Sequence, residues 1–247
     1  MYKNKEWLYS KYINEKLPTT KIGKMCGVSN GAIRYFCIKY NIPIRSKCER
    51  HHLAQINHSN LSPIPIEWIN GELLGDGCLH SYSKYSAIFV YGSKHLEYIE
   101  YIRDTLKSYG IEQMGKIYKQ IDKKQGNVSY HYSSRSYPEL LTIYKHWYPK
   151  GKKVVPKDIV LTPLVCRQWY IGDGSLAHPK YSKNIILSTY GFYIKDVKWL
   201  TKQLNKVRIK ANRQKKNAIH ISANSVKNFL EYIGECPTKC YQYKWAI

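Results

Sequence analysis

Acidic side chains are scarce in this sequence. Seventeen Asp and Glu stand against 40 Lys and Arg in 247 residues, a formal charge of +23 at neutral pH, with an isoelectric point near 9.6. Such an imbalance points to a polyanionic partner, nucleic acid first and an anionic membrane second. Long apolar runs are also missing; none approaches the roughly 18 residues that a membrane span needs. The opening Met1-Tyr2-Lys3-Asn4-Lys5-Glu6-Trp7 has no signal-like apolar stretch, so the expectation is an intracellular protein, cytoplasmic or in an organelle matrix, that is not secreted. The seven cysteines are odd in number and scattered, which argues against a disulfide framework and for a reducing compartment. Cys236 and Cys240 form a C-x3-C pair without a second pair at zinc-like spacing. What is present in quantity is apolar residue, 43%, which excludes wholesale disorder and is enough for one large domain or two small ones.

Residues 1–46 read as a small helical unit. A first helix runs from Glu6 to Lys16 and breaks at Pro18; a second, Thr19 to Cys26, has Thr19 as its expected cap. Gly27-Val28-Ser29 makes a turn, and Ser29 caps a third helix from Asn30 to Tyr40. Ile22, Met25, Val28, Ile33 and Phe36 are expected inside. Two short helices around a glycine turn have the form of a helix-turn-helix. Asn30, Arg34, Tyr35 and Lys39 then lie on the outer face of the last helix, where a recognition helix meets the major groove. Residues 1–50 hold eight Lys and three Arg against three Glu, which favours DNA contact over a plain packing module. Residues 47–62, including His51 and His52, read as a linker.

The remainder carries an internal repeat. Ile69-Asn70-Gly71-Glu72-Leu73-Leu74-Gly75-Asp76-Gly77 recurs in altered form as Cys166-Arg167-Gln168-Trp169-Tyr170-Ile171-Gly172-Asp173-Gly174, with Asp76 and Asp173 97 residues apart. Each copy closes a helix-length apolar segment that follows a proline, Pro65 or Pro163. Behind the first come a strand at Ser86–Gly92, a helix at His95–Tyr109, strands at Gly115–Gln120 and Asn127–Ser134, and a helix at Tyr137–Trp147. Behind the second come a strand at Asn184–Thr189, a helix at Tyr193–Val207, strands at Arg208–Arg213 and Asn217–Ala223, and a helix at Val226–Tyr232. Both copies read αββαββα, an α+β class with boundaries at 63–156 and 157–247.

Gly71 and Gly75, four apart, share one helix face and permit close helix–helix approach. Two such helices about a pseudo-dyad bring Asp76 and Asp173 together at their C-terminal ends. Two carboxylates about 4 Å apart repel by about 4 kcal/mol at an effective dielectric of about 20, and the negative ends of both helix dipoles add to that. A divalent cation relieves the arrangement, and oxygen donors select Mg²⁺ over zinc. Metal-bridged carboxylates beside a basic surface suit phosphodiester hydrolysis. A lone Gly-Asp-Gly is usually only a turn; two copies in matching subdomains reverse that weighting.

The paired motifs, together with Trp147-Tyr148-Pro149-Lys150-Gly151-Lys152-Lys153-Val154-Val155-Pro156 and the closing Tyr241-Gln242-Tyr243-Lys244-Trp245, resemble the single-chain LAGLIDADG homing endonucleases over about residues 61–247. The resemblance implies two pseudo-symmetric halves forming a saddle of antiparallel sheet over the DNA major groove. It implies metal binding by Asp76 and Asp173, with Gly75 and Gly172 as further metal-contacting positions. It also implies a lysine in each half near the scissile phosphates, Lys153 and Lys244 before their neighbours Lys152 and Lys239. Gln168 and Trp169 depart from the small and aliphatic residues of the family pattern.

Alternation of side chains along the strands then separates helix-facing from DNA-facing residues. Ser129, His131, Ser133 and Arg135 in the first copy, and Arg208, Lys210, Asn212, His220 and Ser222 in the second, are expected outward as readers of base edges. Residues 180–216, with nine Lys and two Arg against one Asp, support a DNA face there. The expectation is a monomeric, Mg²⁺-dependent homing endonuclease cutting a long asymmetric duplex site. An RNA maturase acting on its host intron, or a non-catalytic DNA-binding regulator on the same fold, is the alternative.

Overall fold

The computed structural model describes all residues except 47, 48, 50–56, 60, 124, 178–183 and 247. It divides into two compact units, Met1–Ile56 and Asn57–Ile247. His51, His52, Lys180 and Lys183 lie outside the described residues. Among the described residues no helix is long and apolar enough to cross a membrane.

In the first unit, α1 (Lys5–Tyr9) runs on into a π-helical segment, Ser10–Asn14, rather than the single α-helix expected. Helices α2 (Thr19–Cys26) and α3 (Asn30–Lys39) flank Gly27, whose φ of 67° is the left-handed region that glycine enters without strain. Ser29 caps α3 by accepting from the Ala32 amide at 3.2 Å. Thr19 does not cap α2: the N-cap position is Pro18, and Thr19 is the first helical residue. Leu8, Tyr12, Ile22, Ile33, Cys37 and Ile42 make the core. Met25 is 49% exposed rather than inside, whereas Cys37, one turn beyond Ile33, is buried. Arg45 donates to the main-chain carbonyls of Tyr12, Lys16 and Leu17, so this arginine ties the C-terminal segment to the end of the first helix.

The second unit holds two four-stranded antiparallel sheets of identical strand order. In the first, β1 (Cys78–Ser83), β2 (Ser86–Ser93), β3 (Tyr118–Ile121) and β4 (Val128–Ser133) lie in the order β1-β2-β4-β3. In the second, β5 (Gly174–Ala177), β6 (Asn184–Leu187), β7 (Ala211–Arg213) and β8 (Ile219–Ile221) repeat it as β5-β6-β8-β7. Helices α4 (Pro63–Leu74), α5 (Leu96–Ser108) and α6 (Pro138–Trp147) accompany the first sheet. Helices α7 (Pro163–Asp173), α8 (Ile194–Lys206) and α9 (Ala223–Ile233) accompany the second. A 3-10 segment, Lys239–Trp245, closes the chain. Residues 57–59, at the end of the expected linker, pack on this unit: His58 meets Glu139 at 3.0 Å and Ser59 is buried.

Register decides which side chains share a face. His131 lies opposite Gly92 and Tyr118, Ser133 opposite Val90, and Ser129 opposite Gln120. The intervening Leu79, Phe89, Tyr91 and Tyr132 are buried with Ile99, Ile102 and Leu140 from the helices. The same core continues without interruption through Ile185, Leu187, Ile219 and Ile221 of the second sheet to Val197, Leu200 and Phe229. Each sheet therefore has one helix-covered face and one polar face. The second-copy strands are shorter than expected. β7 starts only at Ala211, because Arg208 takes φ 64° in the turn after α8 and breaks the extended run. Ser222 is likewise not a strand residue: it occupies the N-cap position of α9.

Candidate active site

The site sits where α4 and α7 end. Both helices begin on proline, Pro63 and Pro163, at a position where the missing amide costs nothing. They then converge on small residues. A Cβ on Gly71 would stand 2.7 Å from the Val165 carbonyl oxygen and 2.8 Å from the Gln168 Cβ. One on Gly172 would stand 2.9 Å from the Asp76 amide nitrogen and 3.1 Å from the Gly75 Cα. The backbones touch without an intervening side chain at the point where the chain delivers Asp76 and Asp173.

Asp76 perturbs Asp173. Burial raises the pKa of Asp173, and repulsion from Asp76 adds to it, to about 7 against the attraction of Lys153 and Lys244. Asp76 is also raised by burial, with Lys244 and then Lys153 opposing. Both carboxyls therefore hold their protons more tightly than free aspartates. Both lysines sit at these helix ends. Lys153 Nζ donates to the Gly77 carbonyl at 2.9 Å and faces that of Gly75 at 3.5 Å. Lys244 Nζ donates to the Ile171 carbonyl at 2.6 Å and reaches that of Tyr170 at 3.4 Å. Lys244 thus binds the last turn of α7, and Lys153 the chain just past the end of α4. Desolvation lowers both lysines, Lys244 to about 8, while the aspartates pull them back up. Lys152 and Lys239 are exposed instead.

Two carboxylates with raised pKa, at a solvent-accessible position and offering only oxygen donors, form a set that a hard divalent cation fits. Among the described residues no cluster of three or more His, Cys, Asp and Glu side chains adds further ligands.

Beneath the acids lies a buried polar group that the motif spacing did not reveal. Glu72 is fully buried, and its Oε1 accepts from the Tyr98 hydroxyl and from Gln168 Nε2, each at 2.6 Å. Gly71 leaves the space through which Gln168 crosses the helix interface. The departure of Gln168 from the family pattern is thus matched by Glu72 across the helix pair. Burial pushes the Glu72 pKa to about 8, with the hydrogen bonds from Tyr98 and Gln168 opposing. An acid raised in the folded state binds its proton more tightly there, so this contribution to stability falls as pH rises from the unfolded value toward about 8. The expected result is that Glu72→Gln is close to the parent in thermal unfolding at pH 5, gains on it as pH rises toward about 8, and keeps a constant lead above that. The gap should grow by at most about 1.4 kcal/mol per pH unit. Glu72→Ala, which leaves two buried donors unpaired, should lose about 2–4 kcal/mol at pH 5, and less as pH rises toward about 8.

The outer sheet faces carry the other expected residues in part. Ser129, His131 and Ser133 share one face of β4, with Ser129 Oγ and His131 Nε2 at 3.0 Å. Arg135 is exposed just past that strand. Asn212 pairs with His220 across β7 and β8, and Lys210 is exposed immediately before β7. Register adds residues that the alternation missed: Tyr118 and Gln120 on β3, His80 on β1, and Ser175 and Asn184 in the second sheet. The basic run 180–216 does not all serve this face. Lys195, Lys198, Lys202 and Lys206 are on α8, a helix packed on the other side of the sheet. In the first unit Asn30, Arg34, Tyr35 and Lys39 are all exposed on α3.

Comparison with known proteins agrees with this architecture. The chain is 26% identical to the uncharacterized protein MJ1098 of Methanocaldococcus jannaschii, over 96% of this chain and 97% of that one. It is 29% identical to the cytochrome b mRNA maturase bI2 of Debaryomyces hansenii, over 62% of this chain and 61% of that protein. The fold matches the structure of the homing endonuclease I-WcaI bound to its DNA recognition sequence, with a TM-score of 0.64 and 21% identity, covering 82% of this chain and 93% of that one. The family model described as the LAGLIDADG DNA endonuclease family matches residues 66–229, and the chain belongs to that family.

Proposed function

We propose that this protein is a divalent-metal-dependent endonuclease that cuts double-stranded DNA at one long, asymmetric site as a monomer. The observation that carries the reading is the meeting of Asp76 and Asp173 at two abutting helix ends, each with a lysine beside it, between two sheets with polar outer faces. Asp76 and Asp173 would hold Mg²⁺, with the carbonyls of Gly75 and Gly172 alongside. When bound, the cation supplies a water nucleophile and stabilises the leaving oxygen. Lys153 and Lys244 are placed to offset negative charge gathering at a scissile phosphate. Ser129, His131, Ser133, Arg135, Lys210, Asn212 and His220 would read the duplex; the Nδ1 of His220 has no hydrogen-bond partner among the described residues. Arg208 and Ser222 flank that face from a turn and a helix cap. The two halves expose different side chains, so the site they read is not a palindrome. This activity belongs inside a cell or organelle, where genomic DNA is available.

In this reading residues 1–46 act as a helix-turn-helix that lengthens the footprint, 47–62 connect, and 63–156 and 157–247 are the two halves. Arg34→Ala with Lys39→Ala should weaken binding about tenfold or more, measured by gel shift on the full site, and shorten the nuclease-protected footprint at one end only. The activity itself is tested with a randomised duplex library. Selective cleavage of a narrow sequence set is expected with Mg²⁺, and binding without cleavage with Ca²⁺. Uncut DNA under both conditions would remove the nuclease reading.

The likeness to a cytochrome b mRNA maturase favours one further reading, that the chain also binds the intron RNA from which such a gene is expressed.

A further inference from the structure

Helices α5 and α8 hold equivalent places in the two copies, and their residues correspond at a constant separation of 98. Buried Tyr98, Ile99, Ile102 and Leu106 match buried Asp196, Val197, Leu200 and Leu204. At about 100° per residue, the positions on the opposite side are Glu97, Glu100, Asp104 and Ser108 in α5. In α8 the same positions are Lys195, Lys198, Lys202 and Lys206, all exposed. The backbone and the buried stripe are preserved while the outer face changes sign.

The acidic stripe is satisfied locally. Arg103 pairs with Asp104 at 2.8 Å and approaches Glu100 at 3.8 Å, and Glu97 accepts from the amides of Lys239 and Cys240. The basic stripe is not: among the described residues none of its four lysines forms a salt bridge. The one acid on α8, Asp196, is buried and held by Lys157 at 2.5 Å. A face serving only solubility would be mixed in charge, as α5 is once Arg103 and Lys107 are counted.

We infer that the outer face of α8 is a second nucleic-acid surface, facing away from the duplex-reading sheet, and that it takes the phosphate backbone of double-helical RNA; the inference rests on the RNA reading above. Lys195 to Lys206 spans about 16 Å at about 1.5 Å per residue. The stripe carries none of the Arg, Asn or Gln forks that read base edges from a helix in the B-DNA major groove. A lysine-only convex face suits the wide, shallow groove of an A-form helix, which is recognised by shape and phosphate contacts. The acidic counterpart on α5 repels the same ligand and restricts it to the second half.

The test is a graft of the first copy onto the second in the full chain: Lys195→Glu, Lys198→Glu and Lys202→Asp. The equivalent helix α5 carries Glu, Glu and Asp at these exposed places, so the fold should be retained, which an unchanged melting temperature checks. Anisotropy titrations use an RNA hairpin of about 20 base pairs and a DNA duplex of similar length, at about 0.1 M salt. RNA affinity should drop about tenfold or more, with a salt slope shallower by about 2 to 3, while DNA affinity stays within about threefold. A charge-matched control, Lys107→Glu, Lys145→Glu and Lys150→Glu, should leave RNA affinity within about threefold. Equal losses for RNA and DNA, or equal losses in graft and control, would overturn the assignment. Tight RNA binding by the parent that the graft leaves intact would overturn it while sparing the RNA reading. A parent chain that does not bind the hairpin ends both.

Discussion

Asp76→Asn and Asp173→Asn are each expected to cut cleavage about a thousandfold or more while leaving duplex affinity within about threefold, or tighter. Asn keeps the size of the side chain but removes the charge that a divalent cation needs. It also removes half of a repulsive pair: Asp173 reaches a pKa of about 7 through burial and the nearness of Asp76. The metal-free Asp173→Asn variant should therefore unfold at a higher temperature than the parent at pH 8, and the difference should shrink toward pH 5, as Asp173 takes up its proton below about 7. That second readout separates a lost metal site from a damaged fold. Variants that unfold at higher temperature and still cut with Mg²⁺ would place the chemistry elsewhere; cleavage lost along with stability would mean that the acids hold the structure together.

Much of this site was legible because repetition amplifies weak signals. One Gly-Asp-Gly is a turn, whereas two at a separation of 97, each behind a proline-started apolar helix, require a pair of helices with acids at their ends. The helices α4, α7 and α8 follow from periodicity and from Pro163 and the Tyr193 boundary. The αββαββα order counts a first strand in each half, but its bounds are not legible, because Cys78–Ser83 has a single strongly apolar residue, Leu79, and Gly174–Ala177 is only four residues long. Alternation alone also put Arg208 and Ser222 on strands. A positive φ at Arg208 and the start of α9 beyond Ser222 end the extended backbone on either side. Charge was the least local of the signals. The lysines of 180–216 add up to one basic segment in sequence, yet the helical period sends four of them to the side away from the sheet. Glu72 was invisible for the opposite reason, since its partners Tyr98 and Gln168 come from two other helices.

The asymmetry of the helix pair leads to the largest stability effect expected here. Gly71 in the first copy corresponds to Gln168 in the second, so the contact joins one bare backbone to one long side chain rather than two glycines. Gly71→Val puts a branched side chain where even a Cβ would sit 2.7 Å from the Val165 carbonyl oxygen and 3.1 Å from its Cα. Both obstacles are backbone atoms of α7 and cannot rotate away, so the helices must part. Parting them also strains the Glu72–Gln168 hydrogen bond and opens the Gly75–Gly172 contact that sets the spacing of the acids. The expected loss is about 3 kcal/mol or more, a fall in Tm of roughly 6–12 °C for a unit of this size, together with loss of cleavage. Gly191→Ala is the matched control: nothing lies within 4 Å of its added Cβ, and its stability should stay within about 0.5 kcal/mol of the parent. Calorimetry on the two variants decides the matter. A Gly71→Val protein as stable as the control would mean that the two helices do not abut at this residue, and the placement of Asp76 beside Asp173 would lose its structural basis.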